Sequence, residues 1–280
     1  MSISNDSQQT AVSKFRQLHE SGCFLIPNPF DIGTAVYLHH LGFQALATSS
    51  AGFAFTRGLT DEAVSRDAML EHVRDIASAT SLPVNADFQN GYADDPEGVA
   101  ESVALCVKSG VAGLSIEDNS GNETPGLYEK SLAIERIRAA RRAIDDSGVP
   151  VVLTARCEAW LVNEPKPFEV AIERLTAFAE AGADCLYAPG VTKSDEISAI
   201  VKAVSPKPVN VLAWRPDPNM TLASLRDLGV RRISVGSALS RVAWGAFIKA
   251  ARSIASTGEF DSLAEGASFA ELSDVFAARK

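Results

Sequence analysis

"PVNADFQNGY", residues 83–92, decides the fold. A proline turn opens it, an apolar strand-like run follows, and the run ends on Asp87 before two amides and a glycine. Side chains alternate along a strand, so Asn85 and Asp87 share one face. A buried strand that delivers a carboxylate at its last position fits a parallel sheet whose strand ends build a site.

Seven further runs carry the same signature: "FLIPN" (24–28), "ALATSS" (45–50), "GLSIED" (113–118), "VVLTARC" (151–157), "CLYAPG" (185–190), "PVNVLA" (208–213) and "RRISVG" (231–236). Between the runs, apolar residues recur at helical spacing over 31–41, 61–80, 96–109, 132–146, 168–181, 194–204 and 222–228. Turns such as "SLP", "SGVP", "AGAD" and "LGV" stop the helices before the next strand. Eight alternating strand and helix units predict an all-parallel sheet closed as a (β/α)₈ barrel, an α/β fold of the TIM type. A doubly wound open sheet is the competing architecture, but "NPFDIG" follows the first strand where a dinucleotide fold would place GxGxxG. One domain is expected over 1–280, with 237–280 a C-terminal helical extension. Its first helix, "SALSRVAWGAFIKAARSIASTGEF", is more apolar than one buried face requires. It either packs on another subunit or closes its own barrel.

Composition narrows the function. Of 280 residues, 46% are hydrophobic and 22% charged, enough apolar surface for a large core. The net charge of −9, with no basic cluster, argues against a nucleic-acid or anionic-membrane partner. No apolar run is long enough to span a bilayer and the N-terminal stretch is polar, so a cytoplasmic protein is expected. Four scattered cysteines without a CxxC pair give neither a disulfide framework nor a zinc site.

In such a barrel the chemistry sits at the C-terminal strand ends. Here these carry Asn28, Ser49 and Ser50, Asp87, Glu117 and Asp118, Arg156, Gly190, Asn210 and Gly236. Buried charges demand partners. A structural salt bridge from Arg156 to one acid is the simplest reading, but it leaves the other carboxylates unpaired. Oxygen-only donors select a hard cation, Mg²⁺ or Mn²⁺. Asp87 is the first ligand expected and Glu117 the second, with Asn85 beside them. His19, His39, His40 and His72 all fall in helix-like segments, which removes a zinc site, a histidine base and a Ser/His/Asp triad. "TSSAGFAFTRG" (48–58) reads as a loop able to offer backbone N–H groups and hydroxyls to an anion. "IEDNSGNETPGLYEK" (116–130) reads as a mobile lid or a plain surface loop.

Together, "NPFDIGTAVYLHHLGFQALATSSAG", "LPVNADFQNGY", "GVAGLSIED", "VVLTARCEAW", "RLTAFAEAGADCLYAPG" and "LGVRRISVGSAL" resemble the isocitrate lyase/phosphoenolpyruvate mutase superfamily in order and spacing. The resemblance implies a Mg²⁺-dependent barrel acting on a small anionic 2-oxo acid or its enolate, in a homotetramer that exchanges the terminal helix. By the same resemblance Asp87 is the principal metal carboxylate and Glu117 supports the metal shell, near which Asp61 also lies. Arg156 binds the substrate anion, and Ser49, Ser50, Ala51 and Gly52 grip its carboxylate. Asn210 is added to the substrate contacts from its place at a strand end.

The departures bear on the reaction. Asn85 replaces the first acid of an Asp-Ala-Asp run, and the lid lacks the cysteine and histidine of the citrate-type lyases. It also lacks the lysine and asparagine pattern of the phosphonomutases. Gly190 stands where citrate-type lyases carry a glutamate, which disfavours isocitrate and methylisocitrate. The reading is therefore a carbon–carbon lyase or decarboxylase of a small, oxaloacetate-like 2-oxo or 2-hydroxy diacid, with Tyr128 or a metal-bound water as candidate acid. The alternatives are P–C bond chemistry on a phosphonopyruvate-like substrate, and a 2-oxo acid binding protein of low turnover.

Overall fold

The computed structural model describes residues 5–121 and 126–278. Its eight strands are β1 (Phe24–Ile26), β2 (Leu46–Ala47), β3 (Val84–Asp87), β4 (Gly113–Glu117), β5 (Val152–Arg156), β6 (Cys185–Tyr187), β7 (Val209–Leu212) and β8 (Arg232–Ser234). They pair in parallel in the order β1-β8-β7-β6-β5-β4-β3-β2. The seam between β1 and β2 is bridged by the Ala47 N–H on the Pro27 carbonyl at 3.1 Å. Asn28 stitches the same corner, donating to the Thr48 carbonyl and accepting the N–H groups of Val235 and Gly236. The result is a nearly closed (β/α)₈ barrel.

The helices are α1 (Asn5–Glu20), α2 (Ile32–His40), α3 (Ser50–Thr56), α4 (Arg66–Ala79), α5 (Pro96–Val107), α6 (Lys130–Asp146), α7 (Pro167–Glu180), α8 (Ser194–Val204), α9 (Leu222–Asp227), α10 (Ala238–Thr257) and α11 (Phe269–Ala277). Local chemistry sets their starts. Asp95 caps α5 ahead of Pro96, and Ser65 caps α4 through the Ala68 N–H. That second cap divides the helix expected over 61–80, leaving Asp61–Ala63 as a separate 3₁₀ turn. Residues 50–56, expected as loop, form α3 because Ser49 accepts the Gly52 N–H and caps it. None of the helices is long and apolar enough to cross a membrane among the described residues.

Strand alternation sorts the core. Ala86, Leu114, Ile116, Leu153, Ala155, Leu186, Val211 and Ile233 point outward into the apolar layer beneath the helices. Asn85, Ser115, Asn210, Arg232 and Ser234 point into the barrel, so its interior is polar where branched apolar layers are usual. Helix α1, absent from the expected elements, closes the lower end. Its Phe15 is fully buried against Gly113, where an added Cβ would lie 2.6 Å from the ring, and Gln8 donates to the Val107 and Val111 carbonyls.

The C-terminal helices behave differently. Helix α11 packs on α2, with Tyr37 hydrogen-bonded to Glu271 and Phe276 beside Gly33. Helix α10 stands off the barrel, and Val242 and Phe247 are 70% and 61% exposed. It does not close its own barrel.

Candidate active site

Strand register brings the acids together. Glu117 and Arg156 are direct partners on β4 and β5. The guanidinium spans three carboxylates: Asp87 at 2.6 Å, Glu117 at 3.0 Å and Glu158 at 2.9 Å. Its plane also faces the Tyr187 ring, 5.2 Å from the centroid. The second Asp87 oxygen accepts the Ser50 N–H at 2.9 Å and the Ser50 hydroxyl at 3.0 Å. Asp61 completes the rim, held by the Gln89 amide. A lone salt bridge does not describe this cluster.

Four carboxylates face one guanidinium, and the electrostatics follow. Burial, then repulsion from Asp87, raises the Asp61 carboxyl. Burial raises Glu117 well above the carboxylate range against the pull of Arg156, and Glu158 is raised the same way. For Arg156, burial opposes the charge, yet Glu117, Glu158 and Asp87 more than compensate and hold it fully protonated. The site is short of positive charge.

That shortage fits a divalent metal. Among the described residues no three Asp, Glu, His or Cys side chains are grouped to cage an ion unaided. One or two carboxylates with water and substrate oxygens is the habit of Mg²⁺. Asp87 and Glu117 suit that role, because the Asp87 oxygen and the Glu117 oxygen that face Arg156 each take that one partner and keep a lone pair for a metal.

The other expected residues divide. Ser49, Ser50, Ala51, Asp61, Tyr128, Asn210 and Asn85 line a cavity of about 960 Å³ together with the cluster. Gly52 does not, since its N–H is spent on the Ser49 hydroxyl inside the α3 cap. Asn210 sits deep, bonded to Ser234 and Arg232. Asn85 lies one layer below Asp87; its Oδ1 has no hydrogen-bond partner and rests against Gly113, away from the carboxylates. Asp118 turns to the other side and pairs with Arg174 at 3.2 Å. Cys157 is fully buried in the core, as alternation from Arg156 requires. Gly190 has φ +97°, and a Cβ there would meet the Trp160 Cβ at 2.6 Å, so no glutamate fits. No histidine lines the cavity among the described residues.

Three participants carried no obvious sequence signal. Glu158 could have been found by stepping two residues past Arg156 along the strand direction. Asn90 and Asp94 lie in the irregular segment after β3, where Gln89, Gly91 and Tyr92 all adopt positive φ. They bond Tyr128 at the base of the lid. Two lid legs meet there through the Asn119–Leu127 bridge and the Ser120 N–H on the Gly126 carbonyl. Residues 122–125 of the segment expected as a mobile lid or a plain surface loop lie outside the described residues.

Comparison with known proteins places this geometry. The family profile described as phosphoenolpyruvate phosphomutase matches residues 15–255. The chain is 32% identical to 2-methylisocitrate lyase of Escherichia coli (strain K12) over 72% of each chain. It is 27% identical to oxaloacetate decarboxylase of Chromohalobacter salexigens, covering 84% of this chain and 82% of that one. A solved structure from Burkholderia cenocepacia J2315, described only as a lyase/mutase, superposes with a TM-score of 0.93 at 44% identity over 98% of both chains. From the matched span and the barrel, the chain belongs to the phosphoenolpyruvate phosphomutase family, within the superfamily of lyases and mutases that includes isocitrate lyase.

Proposed function

We propose that the protein is a Mg²⁺-dependent carbon–carbon lyase or decarboxylase acting on a small 2-oxo or 2-hydroxy diacid of the oxaloacetate kind. The observation that carries this reading is the surplus of carboxylates around Arg156 at the barrel mouth, with neither histidine nor cysteine on the cavity wall among the described residues. A bound metal would supply Lewis-acid stabilisation of the negative charge that develops on the substrate. Asp87 and Glu117 would hold it, and Asp61 would add charge beside them. Arg156 orients and neutralises the substrate anion. Ser49, Ser50 and Ala51 wall the carboxylate end. Losing CO₂ needs no base, which suits a site without histidine. The cavity's only cations among the described residues are Arg156 and the deep Arg232, a poor supply for a departing phosphoryl group.

The exposed apolar face of α10 supports a homo-oligomer in which that helix packs on another copy of the chain. An NMR panel of 2-oxo and 2-hydroxy diacids plus phosphonopyruvate, with and without Mg²⁺, tests the activity. Product from a diacid that requires Mg²⁺ and vanishes in Asp87→Ala upholds the lyase. Interconversion of phosphonate and phosphate ester, or binding without turnover, overturns it.

A further inference from the structure

Tyr128 sits on the same cavity wall as the carboxylate cluster. Its hydroxyl donates to Asp94 and accepts the Asn90 amide at 2.9 Å. Asn90 adjoins Gln89, which bonds Asp61 and accepts the Glu117 N–H at 3.0 Å. Tyr128 is therefore tied, through two consecutive residues, to the backbone of the cluster. Its own carbonyl is held by Arg174 at 2.8 Å.

Arg136, from α6, adds a second observation. It is 1% exposed, its guanidinium lies 4.0 Å from the Tyr128 ring centroid, and its hydrogen bonds go to the backbone carbonyls of Asn90, Ala93 and Asp94. No carboxylate is salt-bridged to it among the described residues. A buried cation with no salt bridge of its own, stacked on a tyrosine, is placed to offset negative charge on that ring, and Tyr128 is the first of the groups whose charge it feels after burial.

We propose that Tyr128 gives the proton to C3 of the enolate left by bond cleavage, with Asp94 and Arg136 as its positioning residues. The inference rests on the lyase reading above. The enolate π pair forms the new C–H bond. The Tyr128 O–H bond breaks and its pair stays on the phenolate oxygen, which keeps the Asn90 hydrogen bond and lies under Arg136. A proton from solvent then reaches the phenolate through the partly exposed Asp94, so each decarboxylation consumes one proton. Before the transfer Asp94 keeps the hydroxyl in its acid form. Burial and that hydrogen bond together push Tyr128 up to about 12, opposed by Arg136 and Asn90. Glu129, beside it in the chain, is turned to the cap of α6.

The test separates proton transfer from cleavage. The full-length protein with Mg²⁺ is incubated in D₂O with pyruvate or 2-oxobutyrate, and C3 deuteration is followed by NMR; CO₂ release from oxaloacetate is measured in parallel. Tyr128→Phe keeps the ring beneath Arg136 and is expected to lose about 100-fold in exchange and at least about tenfold less than that in CO₂ release, since the enol can ketonise in solution. Asp94→Asn should move the alkaline limb of the exchange profile to lower pH, a shift that a purely structural role would not produce. Exchange undiminished in Tyr128→Phe, or a limb unmoved in Asp94→Asn, overturns this inference and leaves the lyase standing. A wild-type protein with neither exchange nor cleavage overturns both.

Discussion

Arg156 and Arg136 are both buried guanidiniums beside a tyrosine ring, and their surroundings are opposite. Arg156 is ringed by three carboxylates, whereas Arg136 is solvated by three backbone carbonyls. The first site has more negative charge than one cation can balance, so it invites a metal and an anionic substrate. The second has no salt bridge among the described residues, and burial lowers the guanidinium pKa against the opposing pull of Tyr128, Asp94, Asp95 and Asp118. A surplus of like charge suits a site that takes an ionic ligand, and dipolar neighbours suit a scaffold.

The largest test of this contrast is Asp87→Ala. Removing the first metal carboxylate should cut Mg²⁺-dependent turnover by about 1000-fold, a loss of several kcal/mol of charge stabilisation. Circular dichroism should show the fold intact, because β3 and its outward apolar face are unchanged.

Next comes Arg136→Met, which removes the donor from three carbonyls. Unsatisfied buried groups cost about 1–3 kcal/mol each, so denaturant unfolding should show a loss of at least about 3 kcal/mol. Mg²⁺ should not restore it.

Arg156→Gln should behave in reverse. With EDTA present the acids lose their only counter-cation and the protein loses stability. A saturating metal replaces the missing charge and stabilises by about 2.7 kcal/mol at 100 times its Kd. The melting-temperature rise on adding Mg²⁺ should therefore be larger in Arg156→Gln than in the wild type. Equal rises would erase the distinction between the two arginines.

The smallest effect is one of pH. Glu117 and Glu158 have raised carboxyl pKa values, chiefly through burial, so the folded state holds their protons more tightly than the unfolded chain. That stability is fully present below the ordinary carboxylate range and is lost as pH rises through the raised values. Metal-free wild type should weaken from pH 5 to pH 8, and Glu158→Gln should flatten the slope. A slope unchanged in Glu158→Gln would remove Glu158 from the cluster's charge balance.

The barrel was legible because its signal is local and repeated. Each of β1 to β8 lies inside an expected apolar run, and each acid or arginine at a strand end is visible by position alone. Helix α1 was not, because Val12 and Phe15 are apolar islands in a polar stretch and their burial depends on the open lower end of the barrel. Helix α3 was hidden because seven residues are too few to show a helical period, and its start is set by the Ser49 cap.

Residue order and type were enough for the alternating strands, the outward apolar faces, the placement of Asp87, Glu117 and Arg156 at strand ends and the burial of Cys157, since these follow from side-chain period and chain connectivity. Tertiary structure alone decided that Arg156 gathers Asp87 and Glu117 beside its near neighbour Glu158, and that Arg136 lies over Tyr128. Asp87 lies 69 positions from Arg156, and the carbonyls that hold Arg136 lie more than 40 positions from it, so these partners are chosen by barrel register and by the course of the segment after β3, where local pattern carries no information.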